Sequence, residues 1–169
     1  MRRYLATVLL VVFPLFSLGG LFWFLSVSHR LPSEIVNKEA KALDFEDNTL
    51  QCPVCHMYLV GKNDTAQIIT ADRKTHFFDD VGCAILWLRE QKLEPRNVVF
   101  WVFSGDTKRY IDAYGAFYSI DDKTPMLYGF RAYEQFSQGR IGFESMRLRM
   151  LRGETMQDPK VRQNLLQGR

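Results

Sequence analysis

Residues 4–28, from Tyr4 to Ser28, carry no charge and are dominated by Leu, Val and Phe. As a helix rising about 1.5 Å per residue the run is about 37 Å long, enough for a hydrocarbon core of about 30 Å. Arg2 and Arg3 precede it, which favours a cytoplasmic N-terminus and places the rest of the chain outside the cytoplasm. Pro14 is compatible with a bilayer helix, which absorbs a kink. A cleaved signal peptide is the rival reading. Ser26-Val27-Ser28 has small residues at a spacing that a signal peptidase accepts, but the run exceeds the about 7–15 residues of a signal core. No cysteine precedes Cys52, so no lipidated cysteine follows the run. The sequence therefore predicts one N-terminal transmembrane helix, within residues 1–30, anchoring a single domain in the cytoplasmic membrane.

Outside residues 1–30 the acids and bases balance, with an uneven distribution. Residues 140–169 hold seven Arg and Lys against three acids, and read as a basic helical extension with a solvated face. A neutral domain outside the cytoplasm is a poor nucleic-acid binder. The membrane is the expected neighbour, and the basic extension suits anionic headgroups or an acidic partner.

Residues 31–50 read as a linker with weak helical periodicity at Ile35, Val36 and Leu43. Short strands with turns follow: Met57–Val60, Ala66–Thr70, then Thr75–Phe78 after the turn Ala71–Lys74. Asp79 or Asp80 caps a helix over residues 81–92, and the apolar run Val98–Phe103 reads as a central strand. Arg109–Asp112, Ala116–Ile120 and Leu127–Tyr133 read as further strands. Phe143–Leu151 reads as a helix stopped by Gly153, with a last short helix from Asp158-Pro159 to Leu166. The predicted fold is α+β with antiparallel sheet. The 47% apolar content and 13 Phe suffice for one core.

The chemistry concentrates at Gln51-Cys52-Pro53-Val54-Cys55-His56-Met57. Thiolate and thioether sulfur select soft ions such as Cu(I), with imidazole an acceptable donor. Met57 favours copper, because zinc uses Cys, His and carboxylates. If the backbone is extended, Cys55 and Met57 point to one face. Met126, bracketed by turn residues after Pro125, is the best third donor. Cys52 is a secondary candidate. His56 faces the opposite side of an extended strand and is the other secondary candidate. Two alternatives remain. Structural zinc would use Cys52, Cys55, His76 and Cys83, and a dithiol–disulfide domain would use Cys52 and Cys55. A dithiol of the thioredoxin kind should follow a strand and open a helix, and this one follows a polar stretch. Taken singly, His76 reads as a half-buried imidazole, Cys83 as a small core residue, and Met146, Met150 and Met156 as core. No catalytic triad, phosphate-cradling loop or paired-carboxylate signature stands out, so a metal carrier fits better than an enzyme.

Residues 52–133 resemble the NosL accessory proteins of nitrous-oxide reductase. The resemblance rests on Cys-Pro-Val-Cys-x-Met followed by a strand, Phe77-Phe78-Asp79 leading into a helix, the aromatic strand near Trp101, and Thr-Pro-Met-x-x-Gly-Phe at 124–130. It implies two small ββαβ-type units within residues 51–139 and a membrane-tethered periplasmic Cu(I) chaperone. It implies copper ligands at Cys55, Met57 and Met126, and as partner the reductase, whose copper–sulfide centre it supplies, or its membrane maturation transporter complex. The chain departs from the family at His56, where glycine is usual, in lacking a lipoprotein cysteine, and in the tail after about Arg140.

Overall fold

A computed structural model describes residues 12–24 and 31–167. The chain divides into two units, Met1–Leu31 and Pro32–Arg169. In the first, residues 12–24 form helix α1, exposed along its length. Among the described residues no helix is long and apolar enough to cross a membrane. The ends of the 4–28 run, with Arg2 and Arg3, lie outside the described residues.

The second unit is mixed α+β. Strands β1 (Glu34–Val36), β2 (Ala66–Ile69), β3 (Lys74–Phe78), β4 (Val99–Phe103) and β5 (Tyr110–Asp112) form an antiparallel sheet in the order β1-β3-β2-β4-β5. Helix α2 (Val81–Glu90) follows β3. Strands β6 (Phe117–Tyr118), β7 (Ala132–Tyr133) and β8 (Ile141–Gly142) form a smaller antiparallel sheet in the order β7-β6-β8, followed by α3 (Phe143–Arg152) and α4 (Pro159–Gln167).

The alternation of β2, β3 and β4 divides their side chains between two faces. Ala66, Ile68, Phe78, Phe100 and Val102 line one face, with α2 above it: Trp87 lies 5.6 Å from the Phe78 ring and 4.4 Å from the His76 ring. Phe143 of α3 meets Phe100 edge-on at 5.8 Å, so both helices share this core. The opposite face carries Gln67 and Thr75, fully buried polar groups that must be paired. Gln67 exchanges two hydrogen bonds with the Leu43 backbone, and Asn37 donates to Thr75 Oγ1 at 2.9 Å. The segment before the motif is thereby strapped across the sheet.

Several elements differ from the sequence reading. Ile35 and Val36 belong to edge strand β1 rather than to a helix. Met57–Val60 is reduced to a single bridge, Gln51 with Tyr58. Leu127–Tyr133 is extended only at its end: Leu127 and Gly129 adopt positive φ, 55° and 95°, which breaks a strand. The order β2-β3-α2-β4 is a ββαβ unit. In the second half α3 follows all three strands, so that half is not one.

Candidate metal centre

Cys52 opens a tight loop. Its N–H donates to the Met57 carbonyl at 2.9 Å, and the His56 N–H donates back to the Cys52 carbonyl at 3.0 Å. Gln51 Nε2 donates to the His56 carbonyl at 2.7 Å, and Leu59 N–H to the Leu50 carbonyl at 3.0 Å. His56 sits at φ 60°, in the left-handed region that glycine occupies without strain. The backbone between Cys55 and Met57 therefore turns, and the extended geometry predicted for that pair is not what the chain adopts.

The second contribution comes from the corner between β3 and α2. Asp80 is the N-cap: its Oδ1 accepts from the Gly82 N–H at 2.9 Å, which fixes the first turn. Asp79 precedes the cap and Cys83 is the third helical residue. The loop and the corner bring Cys52, Cys55, Asp79 and Cys83 together, one ligand atom from each lying within 4.8 Å of the others. All three cysteines are free thiols. Cys52 and Cys83 are fully buried, whereas Cys55 is half-buried, so the cluster has one solvent-facing edge.

The electrostatics suit a cation. The Cys55 and Cys83 thiols beside Cys52 hold its pKa far below the ordinary thiol value. The Cys52 sulfur in turn pushes Cys55 up to about 12 and raises Cys83. Burial, and then the charge on Cys52, raise Asp79 to about 7. Asp79 Oδ1 accepts from Cys55 Sγ at 3.1 Å, but its Oδ2 is buried without a partner. An orphaned carboxylate oxygen beside three sulfurs is a group whose natural partner is a positive ion.

A third segment closes over the corner. The Met126 N–H donates to Asp80 Oδ2 at 3.2 Å. The Tyr128 ring lies against Gly82, so closely that a Cβ there would stand 2.2 Å from Cδ2. The Tyr128 hydroxyl lies beside the Cys83 thiol, and burial holds its pKa well above the ordinary value.

Of the candidates drawn from the sequence, Cys52 and Cys55 are in the cluster. Met57 is 43% exposed on the loop beside Cys55, and Met126 is half-buried above the α2 N-terminus. His56 is exposed. His76, the fourth donor of the zinc reading, is held instead between Trp87 and Glu34, whose Oε2 lies 3.7 Å from its Nδ1. Cys83, read from the sequence as a core residue, is buried but converges on the other two thiols. Asp79 was read only as a capping residue. Its spacing of four before Cys83, at a strand–helix corner, is the one sequence signal that pointed to it.

Comparison with known proteins finds no matching family, no matching curated protein and no matching solved structure.

Proposed function

We propose that the chain is a Cu(I) carrier. The observation that carries this reading is the pairing of three convergent thiols with a single exposed edge at Cys55. Three sulfurs suit a soft monovalent ion. A carrier needs an edge through which an incoming donor reaches its cargo, whereas structural zinc sites are closed. Cys52, Cys55 and Cys83 would hold the ion. Met57 and Met126 supply thioethers beside the loop and above the corner, and the position of Tyr128 against Cys83 supports a role for the Met126 segment. Binding releases the protons held by Cys55 and Cys83, so acid opposes loading.

The motif resemblance supports a finer reading: delivery of copper to the copper–sulfide centre of nitrous-oxide reductase, directly or through its membrane transporter complex, by a domain tethered at the periplasmic face of the membrane. The 4–28 run supports the tether.

A second reading rests on Asp79. Its unpartnered oxygen completes a three-sulfur, one-oxygen set that suits zinc, in a domain stabilised by the metal. Anaerobic titration of the full chain with Cu(I) and Zn(II), followed by X-ray absorption, separates the two. One tight Cu(I) with a sulfur-only first shell supports the carrier. Preferential Zn(II) binding with one oxygen neighbour, and a Tm that collapses on chelation, supports the zinc domain.

A further inference from the structure

We propose that the same cluster is a thiol–disulfide exchange site: Cys55 is the entry sulfur for a small external disulfide, and Cys52 is the resolving sulfur. The proposal builds on the metal-carrier reading, since the exchange would set when the site accepts an ion.

Geometry assigns the roles. An external disulfide must reach a sulfur with accessible surface, and of the three only the half-buried Cys55 has any; Cys52 and Cys83 have none. Exchange proceeds by attack of a thiolate on a disulfide sulfur. Cys55 Sγ donates to Asp79 Oδ1 at 3.1 Å, which orients the sulfur, and Cys55 attacks as the thiolate after its proton passes to water. The Cys55 sulfur then bonds to one sulfur of the external disulfide, whose S–S bond breaks, and the departing thiolate takes a proton from water. A second sulfur must next attack Cys55. Cys52 and Cys83 both lie within reach of it. Cys83 is fixed in the first turn of α2, behind the Asp80 cap and next to Gly82, on which the Tyr128 ring lies. Cys52 shares the short loop with Cys55, and that loop carries one bridge and no helix or strand. The sulfurs must close to about 2.05 Å, and the loop is the element able to move. Cys52 therefore displaces the second external thiolate, which leaves with the proton that Cys52 gives up. The balance is two protein thiols and one external disulfide converted to one protein disulfide and two external thiols. No other oxidant is needed.

The consequence is a gate. A Cys52–Cys55 disulfide removes two of the three sulfur donors, leaving Cys83 and Asp79, which do not make a soft-ion site. A bound ion in turn occupies the sulfurs that exchange requires.

The test uses the full chain, reduced and metal-free, treated anaerobically with oxidised glutathione and read by differential alkylation and peptide mass mapping. The expected product is a Cys52–Cys55 disulfide, with Cys83 alkylated only after denaturation and Cu(I) binding abolished until a dithiol reductant is added. Chain loaded with Cu(I) beforehand should resist the reaction. Cys52→Ser should stop at one glutathione attached to Cys55, and mapping of the unaltered chain keeps the test independent of whether that variant folds. A Cys55–Cys83 product, modification of Cys83 first, or unreactive thiols would overturn the proposal. Exchange with no Cu(I) binding by the reduced chain removes the carrier reading and leaves the exchange site; Cu(I) binding without exchange does the reverse.

Discussion

Asp80 and Met126, 46 residues apart, are joined by a hydrogen bond of 3.2 Å from the Met126 amide to Asp80 Oδ2, while Asp80 Oδ1 caps helix α2. One buried carboxylate thus fixes both the helix that carries Cys83 and the segment that carries Met126. Asp80→Asn keeps one acceptor for the cap but turns a donor toward the Met126 amide. Hydrogen exchange should show the Met126 amide losing protection while the Gly82 amide keeps it. Unchanged protection at Met126 would mean that Tyr128 alone holds the segment.

Gly82→Ala tests the same closure by packing. In an exposed helix this change is favourable by about 0.5–1 kcal/mol. Here the new methyl meets the Tyr128 ring, itself nearly buried, at 2.2 Å. Overpacking of this kind costs about 1–3 kcal/mol, so the net effect should be destabilising by denaturant unfolding. In a Tyr128→Leu background the cost should shrink.

Asp79 governs the pH dependence of the metal-free chain. Its pKa is raised from the ordinary 3.8 to about 7, by burial first and then by the Cys52 charge. The folded state therefore binds a proton that the unfolded state has lost across that window. Stability contributed by this group is present at low pH and is lost as pH rises through about 7. The metal-free Tm of Asp79→Asn should consequently gain on that of the unaltered chain between pH 5 and pH 8, by thermal scans in chelator. Equal slopes for the two proteins would assign the orphaned oxygen to solvent.

Cys83 separates the structural reading of the site from the sequence reading. Cys83→Ala should weaken Cu(I) binding at least about tenfold, the scale seen on loss of a partner at a metal site, measured by competition with a Cu(I) chelator. An unchanged affinity would return Cys83 to the core and leave Cys55, Met57 and Met126 as the ligand set.

The local signals in this chain were the readable ones. The strand-like runs Ala66–Thr70 and Thr75–Phe78 with the turn between them, the Asp-Asp step before Val81, and Gly153 at φ 75° each act within a few residues, and each produced its element. Strand β1 was not readable because its residues are exposed and its pairing with β3 lies forty residues downstream. The same limit hid Asp79 and left Cys83 a donor only in the zinc alternative. Cys52 and Cys55 announce themselves by spacing, whereas Asp79 and Cys83 join them only because the β3–α2 corner is carried back onto the loop by the sheet. His56 misled in the opposite direction: its left-handed backbone, which glycine would have advertised, turned a stretch that otherwise reads as a strand.

The uneven exposure of the three thiols separates two quantities that a symmetric cage would tie together. Equilibrium strength depends on all three sulfurs, two of them sealed in the core. Turnover of a bound ion depends on the one sulfur that reaches solvent and on the exposed side chains that follow it in the chain, Met57, Tyr58 and Val60. Those neighbours are free to vary the residence time of an ion over a wide range while its dissociation constant barely moves. A fast-exchanging and a slow-exchanging version of this domain would then share the same core and differ only in three side chains at its lip.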